Sequence, residues 1–177
     1  DIEVISLDQA LAHYLSELPL LAASRQPLEN VLGSVLAEAA CAAVDLPLFT
    51  QSAVDGYALD HRDAAAALRL VGEVAAGAAV LPSIDRGEAV RIYTGGALPP
   101  GANCVARQEI VDVEDGRIRI RQLLAVHADT RLRGEELGAG ALLAPAGTRL
   151  TPGLIAALAM AGVGEIMTRP PPRVRVL

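Results

Sequence analysis

The sequence predicts an α+β protein in which a β-rich middle lies between helical ends. Three observations support this fold class. Apolar residues recur at helical spacing from Ile5 to Leu18 and again after Pro152. Between about residues 37 and 150 they fall instead into short alternating runs, which are typical of strands. The dipeptide Asp115-Gly116 separates two such runs, and it is a strong hairpin signal because Gly tolerates positive φ.

The N-terminal region is predicted to contain two helices. In the first, Ser6 and Gln9 have the spacing of a capping box. The second, Leu28–Leu36, opens with Pro27 at its first position, where a helix needs no N–H donor. The segment between them, Pro19–Arg25, is expected to form a turn.

The middle region is predicted to be a short β-rich module, either a sandwich or a barrel. Its clearest element is the hairpin, in which apolar and charged residues alternate on both sides of the turn. The predicted strands are Leu70–Val74, Ala89–Tyr93, Cys104–Val111 and the two arms of the hairpin Ile110–Arg121.

The C-terminal region is predicted to return to a helix. Thr151 can cap it, Pro152 occupies its first position and Gly162 ends it. The three prolines Pro170–Pro172 are expected to form a stiff linker. The last residues, Arg173–Leu177, alternate as in a strand, and because a strand needs a partner we expect the chain to stop at the edge of another domain.

Composition excludes several functional classes. The 177 residues include 15 basic residues, all of them Arg, against 21 acidic ones, for a net charge of −6. This balance argues against nucleic-acid binding, which needs a basic face. No apolar run reaches about 18 residues, so no membrane span is expected, and no signal peptide is visible. Cys41 and Cys104 lack metal-site spacing and are expected to be small core residues in a reducing cytoplasm.

Aromatic residues make up only 2% of the chain, so the core must be built from aliphatic side chains. The stretch Pro47–Ala58 contains the single Phe and presents Asp55-Gly56 within an apolar run. Two interpretations stay open for Asp55: a β-turn in which it caps its own backbone, or a carboxylate presented for metal or anion chemistry.

Two further stretches have the residue types that bind anions or metals. In Tyr93–Gly101, Thr94 precedes two glycines, whose N–H groups could approach an oxyanion. Without a Lys or a following helix it is not a P-loop, and a plain turn between strands is the alternative. In Asp129–Glu136, two arginines stand beside two glutamates, which suits an anion together with Mg²⁺; a solvated charged loop is the alternative.

Other catalytic patterns are missing. The three histidines have no ligand spacing, and no motif for nucleophilic catalysis is present. The residues that form an ordered set of motifs are Pro47, Phe49, Ser52, Asp55, Gly56, Tyr57 and Ala58, then Ile92, Thr94 and Gly95, then Pro99, Gly101 and Glu109, then Arg131, Gly134 and Glu135.

Taken in this order, the motifs resemble the molybdopterin molybdotransferase family, that is, MoeA and the E-domain of gephyrin. The resemblance extends from about Ser6 to Leu177. It implies insertion of molybdate into adenylylated molybdopterin with release of AMP and assistance from Mg²⁺. It also implies a cytoplasmic homodimer, with the active-site cleft formed between the β-module of one subunit and a pterin-binding domain of the other. No nucleic-acid or membrane partner is implied.

The resemblance assigns roles to particular residues. The expected catalytic residues are Asp55, Thr94 and Glu136. The expected substrate-binding residues are Ser52, Gly56, Tyr57, Gly95, Arg131, Arg133 and Glu135. No residue is assigned with certainty as a metal ligand. The sequence departs from the family pattern at Val54, usually Met, at Gly96, often Ala, at Asp129, near a usual Asn, and at Glu136, usually Asp; the longer Glu136 side chain weakens that assignment most.

The resemblance also implies a domain organisation. Residues 46–137 are expected to form a barrel-like β-module inserted into a mixed helix/strand lobe of residues 26–45 and 138–169. Residues 1–25 would supply a helix that packs on an absent domain, and residues 170–177 would begin a pterin-binding domain. The chain alone is therefore expected to be inactive. A non-catalytic dimerisation module of the same fold and a small-anion-binding protein are the alternatives.

Overall fold

A computed structural model of the protein describes residues 5–173 and residue 175. Within them the chain forms two α-helices, α1 (Leu7–Glu17) and α2 (Pro152–Met160), and three short 3₁₀ helices. The strands are β1 (Ser24–Pro27), β2 (Val35–Leu36), β3 (Ala40–Cys41), β4 (Gln51–Ser52), β5 (Gly56–Leu59), β6 (Leu68–Val74), β7 (Glu88–Ile92), β8 (Cys104–Arg107), β9 (Val111–Glu114), β10 (Arg117–Ile120), β11 (Thr130–Arg131), β12 (Leu142–Ala144) and β13 (Glu165–Arg169).

The residues separate into two compact units. One comprises Asp1–Cys41 and Leu142–Leu177, and the other is the continuous segment Ala42–Ala141 between them. The fold is thus α+β, with a β-rich module inserted in the chain into a mixed helix/strand unit, as predicted.

The mixed unit is built on a three-stranded antiparallel sheet in the order β1-β13-β2. Strands β3 and β12 form a separate antiparallel pair. Helix α2 packs on the core through Leu158, which is fully buried together with Val31 and Leu150. The predicted helix ends are confirmed: Thr151 Oγ1 accepts a hydrogen bond from the N–H of Leu154, and Gly162 has a φ of 78° beyond the last turn.

Helix α1 has the predicted capping box. The Ser6 hydroxyl accepts from the Gln9 N–H at 3.2 Å, and Gln9 Oε1 accepts from the Ser6 N–H at 2.9 Å. None of its residues is buried within the described part of the chain. Its large apolar side chains, Leu7, Leu11, Tyr14 and Leu15, are all exposed.

The predicted helix over residues 28–36 is wrong. The segment forms a single 3₁₀ turn, Leu28–Asn30, and then strand β2. Gly33 adopts a φ of 79°, which ends any helix there, and its N–H donates to Leu150 O at 3.0 Å. Leu36 then pairs with Thr168 of β13, so the apolar residues of this segment reach the core as turn and strand rather than as one helical face.

Two other predicted elements differ in extent. Strand β1 begins at Ser24, inside the predicted turn Pro19–Arg25, because β13 provides a partner for it. The predicted strand Cys104–Val111 is interrupted by a 3₁₀ turn at Gln108–Ile110. Pro170–Pro172 adopt no regular secondary structure. The strand predicted for residues 173–177 lies mostly outside the described residues.

The inserted unit contains a curled, half-barrel sheet of six strands in the order β8-β5-β7-β6-β10-β9. Strand β5 pairs antiparallel with both β7 and β8, while β6 and β7 are parallel. The residues of β5 alternate between two apolar cores: Tyr57 and Leu59 face one, and Ala58 faces the other. The hairpin β9–β10 is confirmed, with Asp115 and Gly116 at φ values of 49° and 72°.

Among the described residues, neither helix has the length and apolar character needed to cross a bilayer.

Candidate functional site

Strand β4 joins three of the motifs that the sequence singled out. The Ser52 N–H donates to Gly96 O, and the Gly95 N–H donates back to Ser52 O, each at 2.9 Å. On its other side, Ser52 pairs with Thr130 in the β4–β11 ladder. The Thr-Gly loop and the strand that leads to the arginine-rich loop therefore flank the same short strand.

Asp55 and Thr94 make the closest polar contact between two of these motifs. Both the backbone N–H and the hydroxyl of Thr94 donate to Asp55 Oδ1 at 2.8 Å. These bonds, the backbone one foremost, lower the pKa of Asp55 below its usual 3.8, and the positive charge of Arg91 adds to the effect. Asp55 is exposed, so an ionised carboxylate is held in a defined position at the surface.

The turn before Asp55 is capped by Ser52. The Ser52 hydroxyl donates to Val54 O at 2.5 Å and accepts from the Val54 N–H at 3.3 Å. The interpretation in which Asp55 caps its own backbone is therefore wrong, since its Oδ1 bonds to Thr94 instead. The Asp55 backbone oxygen accepts from the Gln108 N–H at 3.1 Å, which ties the turn to the end of β8.

The glycine after Asp55 is required by close packing. A Cβ on Gly56 would lie 2.2 Å from Ala106 O on the neighbouring strand β8. Tyr57 follows it into the core and is 8% exposed. Gly95 has a φ of 80°, which lets the chain turn directly after Thr94.

Arg91 on β7 lies between two aromatic rings. Its guanidinium carbon is 5.0 Å from the centre of the Tyr57 ring and 5.1 Å from that of Tyr93. Its Nη2 donates to Gln108 Oε1 at 2.7 Å. The guanidinium is thus held by strands β5 and β7 and by the turn that follows β8.

The arginine-rich loop is closed by its own carboxylates. Arg131 Nε lies 2.6 Å from Glu135 Oε1, and Arg131 Nη2 lies 2.5 Å from Glu136 Oε1. Glu135 Oε2 also accepts from the Leu132 N–H at 2.7 Å. Arg133 Nε lies 2.6 Å from Asp45 Oδ2. The pKa of Glu135 is accordingly lowered, first by Arg131 and then by the Leu132 N–H.

The structure therefore groups the expected site residues into two sets. Asp55 and Thr94 form one set with the motif residues next to them in the two turns: Ser52, Gly56, Tyr57 and Gly95. The loop residues form the other: Arg131, Arg133, Glu135 and Glu136. Within the described residues, no hydrogen bond or ion pair links the second set to Asp55 or Thr94.

Sequence reasoning missed four polar residues around these sets. They are Asp45, Arg91, Arg107 and Gln108; Arg107 Nε donates to Asp129 Oδ2 at 3.0 Å. Arg91 directly precedes the Ile92-x-Thr94-Gly95 motif. Strand alternation places its side chain on the face of β7 opposite to Val90 and Ile92, and this was the available signal. The other three pairings are long-range and leave no local signal.

Mg²⁺ is bound in proteins by oxygen ligands, commonly one or two carboxylates together with water and substrate oxygens. No group of three or more His, Cys, Asp or Glu side chains suited to a metal occurs in residues 5–173 or at residue 175. Asp55 Oδ1 is engaged by Thr94, but no hydrogen bond to Oδ2 is found in this part of the chain. One open carboxylate oxygen fits Mg²⁺ only in the common arrangement where water and substrate oxygens complete the shell.

Together, this fold and site define a class of protein: an inserted half-barrel that presents an ionised aspartate beside arginines and a Thr-Gly turn. The family model described as the MoeA N-terminal region (domain I and II) matches residues 5–162. The chain therefore belongs to the MoeA family, in its N-terminal region, and the resemblance noted from the motifs is confirmed.

Individual relatives agree. The molybdopterin molybdenumtransferase of Staphylococcus epidermidis is 31% identical over 157 residues, covering 85% of this chain and 38% of that protein. The enzyme of Staphylococcus aureus is 29% identical over 181 residues, covering 98% and 43%. A crystal structure of the molybdopterin biosynthesis MoeA protein from Pyrococcus horikoshii matches with a TM-score of 0.88 at 29% identity, covering 96% of this chain and 45% of that one. The chain thus spans about two fifths of the length of these relatives.

Proposed function

We propose that this chain serves as the N-terminal part of a molybdopterin molybdotransferase, which inserts molybdate into adenylylated molybdopterin in the cytoplasm. Relatives named molybdopterin molybdenumtransferase support the reaction class. The observation that carries the site assignment is the Asp55–Thr94 contact, in which two donors fix one carboxylate oxygen and hold the pKa low.

The chemistry follows from this geometry. Because Asp55 is ionised and exposed, it can hold Mg²⁺ through Oδ2 while Thr94 keeps Oδ1 in place. When bound, Mg²⁺ would neutralise charge on the phosphate and oxyanion groups of the substrate. Ser52, Gly56 and Gly95 maintain the two turns that present the pair, and their role is to keep its geometry fixed before substrate arrives.

The arginine-rich loop is assigned the second part of the site. Arg131 holds Glu135 and Glu136, and Arg133 holds Asp45. We propose that a pterin substrate, bound mainly by a further domain in a homodimer, meets Glu136 at the edge of this loop. Glu136 pairs with Arg131 alone among the described residues and its side chain is half-exposed, so it is the carboxylate of this loop best able to reach a substrate.

The test replaces Asp55 by Asn in the complete molybdotransferase that carries this chain. We expect molybdate insertion to fall about 100-fold, as when one preorganised electrostatic group is removed from an active site. The variant should still unfold cooperatively in urea, with only a modestly lower midpoint, because Asp55 is exposed and the Asn oxygen can still accept from Thr94. The matched control is Asp115→Asn, at the tip of the β9–β10 hairpin, which should retain full activity.

Full activity in Asp55→Asn would overturn the catalytic assignment. If both Asp55→Asn and Thr94→Val were fully active while the protein still dimerised, the dimerisation module would be the correct alternative. Isothermal titration of molybdate into the chain, with heat at millimolar ligand but no transferase activity in the complete protein, would instead favour a small-anion-binding protein.

A further inference from the structure

The arginines around the site differ in how far their charge is already neutralised. Arg107 pairs with Asp129, Arg131 with Glu135 and Glu136, and Arg133 with Asp45. Each of these guanidiniums has a carboxylate partner at 2.5 or 2.6 Å. A further anion could bind to these guanidiniums only by displacing a carboxylate that already accepts their hydrogen bonds.

Arg91 is the exception near Asp55. In the part of the chain that the structure describes, no carboxylate oxygen lies within 4.0 Å of its nitrogens. Its register partners are Tyr57 on β5 and Glu73 on β6, and Glu73 forms no ion pair with it. Its polar contact with the described residues is neutral, from Nη2 to Gln108 Oε1. The positive charge of Arg91 is therefore not neutralised by an ion pair.

The orientation of this charge is fixed in advance. The rings of Tyr57 and Tyr93 lie at similar distances from its guanidinium carbon, and Gln108 holds one edge of the fork. An arginine has five N–H donors, and only the Nη2 edge is engaged by the described residues. A guanidinium held in this way loses little conformational entropy when it binds an oxyanion through its other donors.

We propose that Arg91 is the anion-binding residue of the site and receives a tetrahedral oxyanion beside the Asp55–Thr94 pair. The proposal rests on the proposed function for the identity of the substrate, where the oxyanion is either molybdate or the phosphate of the adenylyl group. It moves the anion-binding role that the motifs gave to Arg131 and Arg133 onto a residue outside those motifs.

The experiment measures binding to the 177-residue chain, so that it needs no turnover. Molybdate and AMP are titrated separately while the side-chain ¹⁵Nε–¹Hε signal of Arg91 is followed by NMR, with assignment from Arg91→Lys. For whichever of the two probes binds, we expect the signal to shift saturably with a dissociation constant in the millimolar range, which is a binding free energy of about −4 kcal/mol. A response to molybdate alone, or to AMP alone, identifies which group Arg91 receives.

Variants then separate binding from structural support. Affinity in the variants is measured from the backbone ¹⁵N–¹H signal of Thr94, which every variant retains. Arg91→Met should weaken binding at least about 10-fold, as loss of a charge-assisted hydrogen bond requires, and Arg91→Lys should weaken it less. Arg119→Met is the matched control, because Arg119 is exposed on β10 and has no ion pair among the described residues. It should bind as the unmodified chain does. If Arg91→Met fails to fold, Arg91→Lys decides, since it keeps the charge but loses the planar fork.

Two results would overturn the proposal: no shift of the Arg91 signal by either probe up to about ten times the millimolar affinity range, or unchanged affinity in Arg91→Met. These are independent of the transferase assay. A chain in which Arg91 binds an oxyanion but Asp55→Asn leaves the complete enzyme active would refute the catalytic role of Asp55 and not the anion site.

Discussion

Thr94 donates two hydrogen bonds to a single oxygen of Asp55, one from its backbone and one from its hydroxyl, both at 2.8 Å. The two residues lie 39 positions apart in the sequence. Their contact holds together the end of β7 and the turn before β5, and it keeps the aspartate ionised.

Thr94→Val should raise the pKa of Asp55 towards its usual 3.8 without restoring it fully. The variant removes the hydroxyl donor but keeps the backbone donor, which is the larger cause of the lowered pKa. A ¹³C NMR titration of the Asp55 carboxyl group measures the change. Molybdate insertion by the complete enzyme should fall about fivefold, the usual effect of one lost hydrogen bond.

The control for this variant is Thr130→Val, which removes a hydroxyl that donates to His127 O in the same unit. It should leave the Asp55 titration unchanged. An Asp55 pKa that is identical in Thr94→Val and the unmodified protein would show that the hydroxyl bond is not formed in solution.

Gly56→Ala should destabilise the inserted unit by about 1–3 kcal/mol or more, the usual effect of overpacking. The added Cβ would lie 2.2 Å from the backbone oxygen of Ala106, so strands β5 and β8 would have to separate. Urea unfolding measures the loss. Gly72→Ala on β6 is the control: its Cβ would meet Pro82 at 3.7 Å, an ordinary contact, so stability should change little. Equal stability of the two variants would contradict the close approach.

The two cysteines should differ in reactivity. Burial, with a smaller contribution from the Asp60 charge, raises the pKa of Cys104 to about 12, so this thiol stays protonated at neutral pH. Cys41 is exposed. Ellman's reagent at pH 8 should therefore modify one thiol per native chain and two after unfolding in guanidinium chloride. Reaction of both thiols at the same rate in the native protein would show that Cys104 is accessible.

The inserted unit should lose stability in acid through Asp63. Arg86 and then the Gly87 N–H lower the pKa of this buried carboxyl below its usual 3.8. Because the unfolded chain binds this proton more readily, the stabilisation is complete above about pH 5 and is lost as the pH falls through the lowered pKa. The urea unfolding midpoint is measured between pH 7 and pH 3. Below pH 4 it should fall less steeply in Asp63→Asn than in the unmodified protein.

Asp115→Asn is the comparison for this series, since the side chain of Asp115 lies in an exposed hairpin turn. It should reproduce the acid dependence of the unmodified protein. If the urea midpoint falls with the same slope below pH 4 in Asp63→Asn and Asp115→Asn, Asp63 is not the source of the acid sensitivity.

Much of the candidate site was visible in the sequence as residue types but not as pairings. The motifs around Asp55 and Thr94 were identified, and the structure brings these two side chains into contact. Arg131 and Arg133 were expected to bind an anion, yet the structure pairs both with carboxylates. Asp45, the partner of Arg133, lies 88 positions from it, a separation at which sequence spacing contains no information on contact.

By itself, the sequence determined the elements whose contacts are local. The capping box of α1, the Thr151 cap and the Asp115-Gly116 hairpin all depend on residues within a few positions of each other. Only the tertiary structure decided the rest. It turned residues 28–36 into a turn and a strand, because β13 offered hydrogen bonds that a helix would not use. Among the described residues, it also left Arg91 beside Tyr57 and Gln108 without a carboxylate within ion-pair distance, because strand β5 and the turn after β8 meet β7 only in the folded sheet.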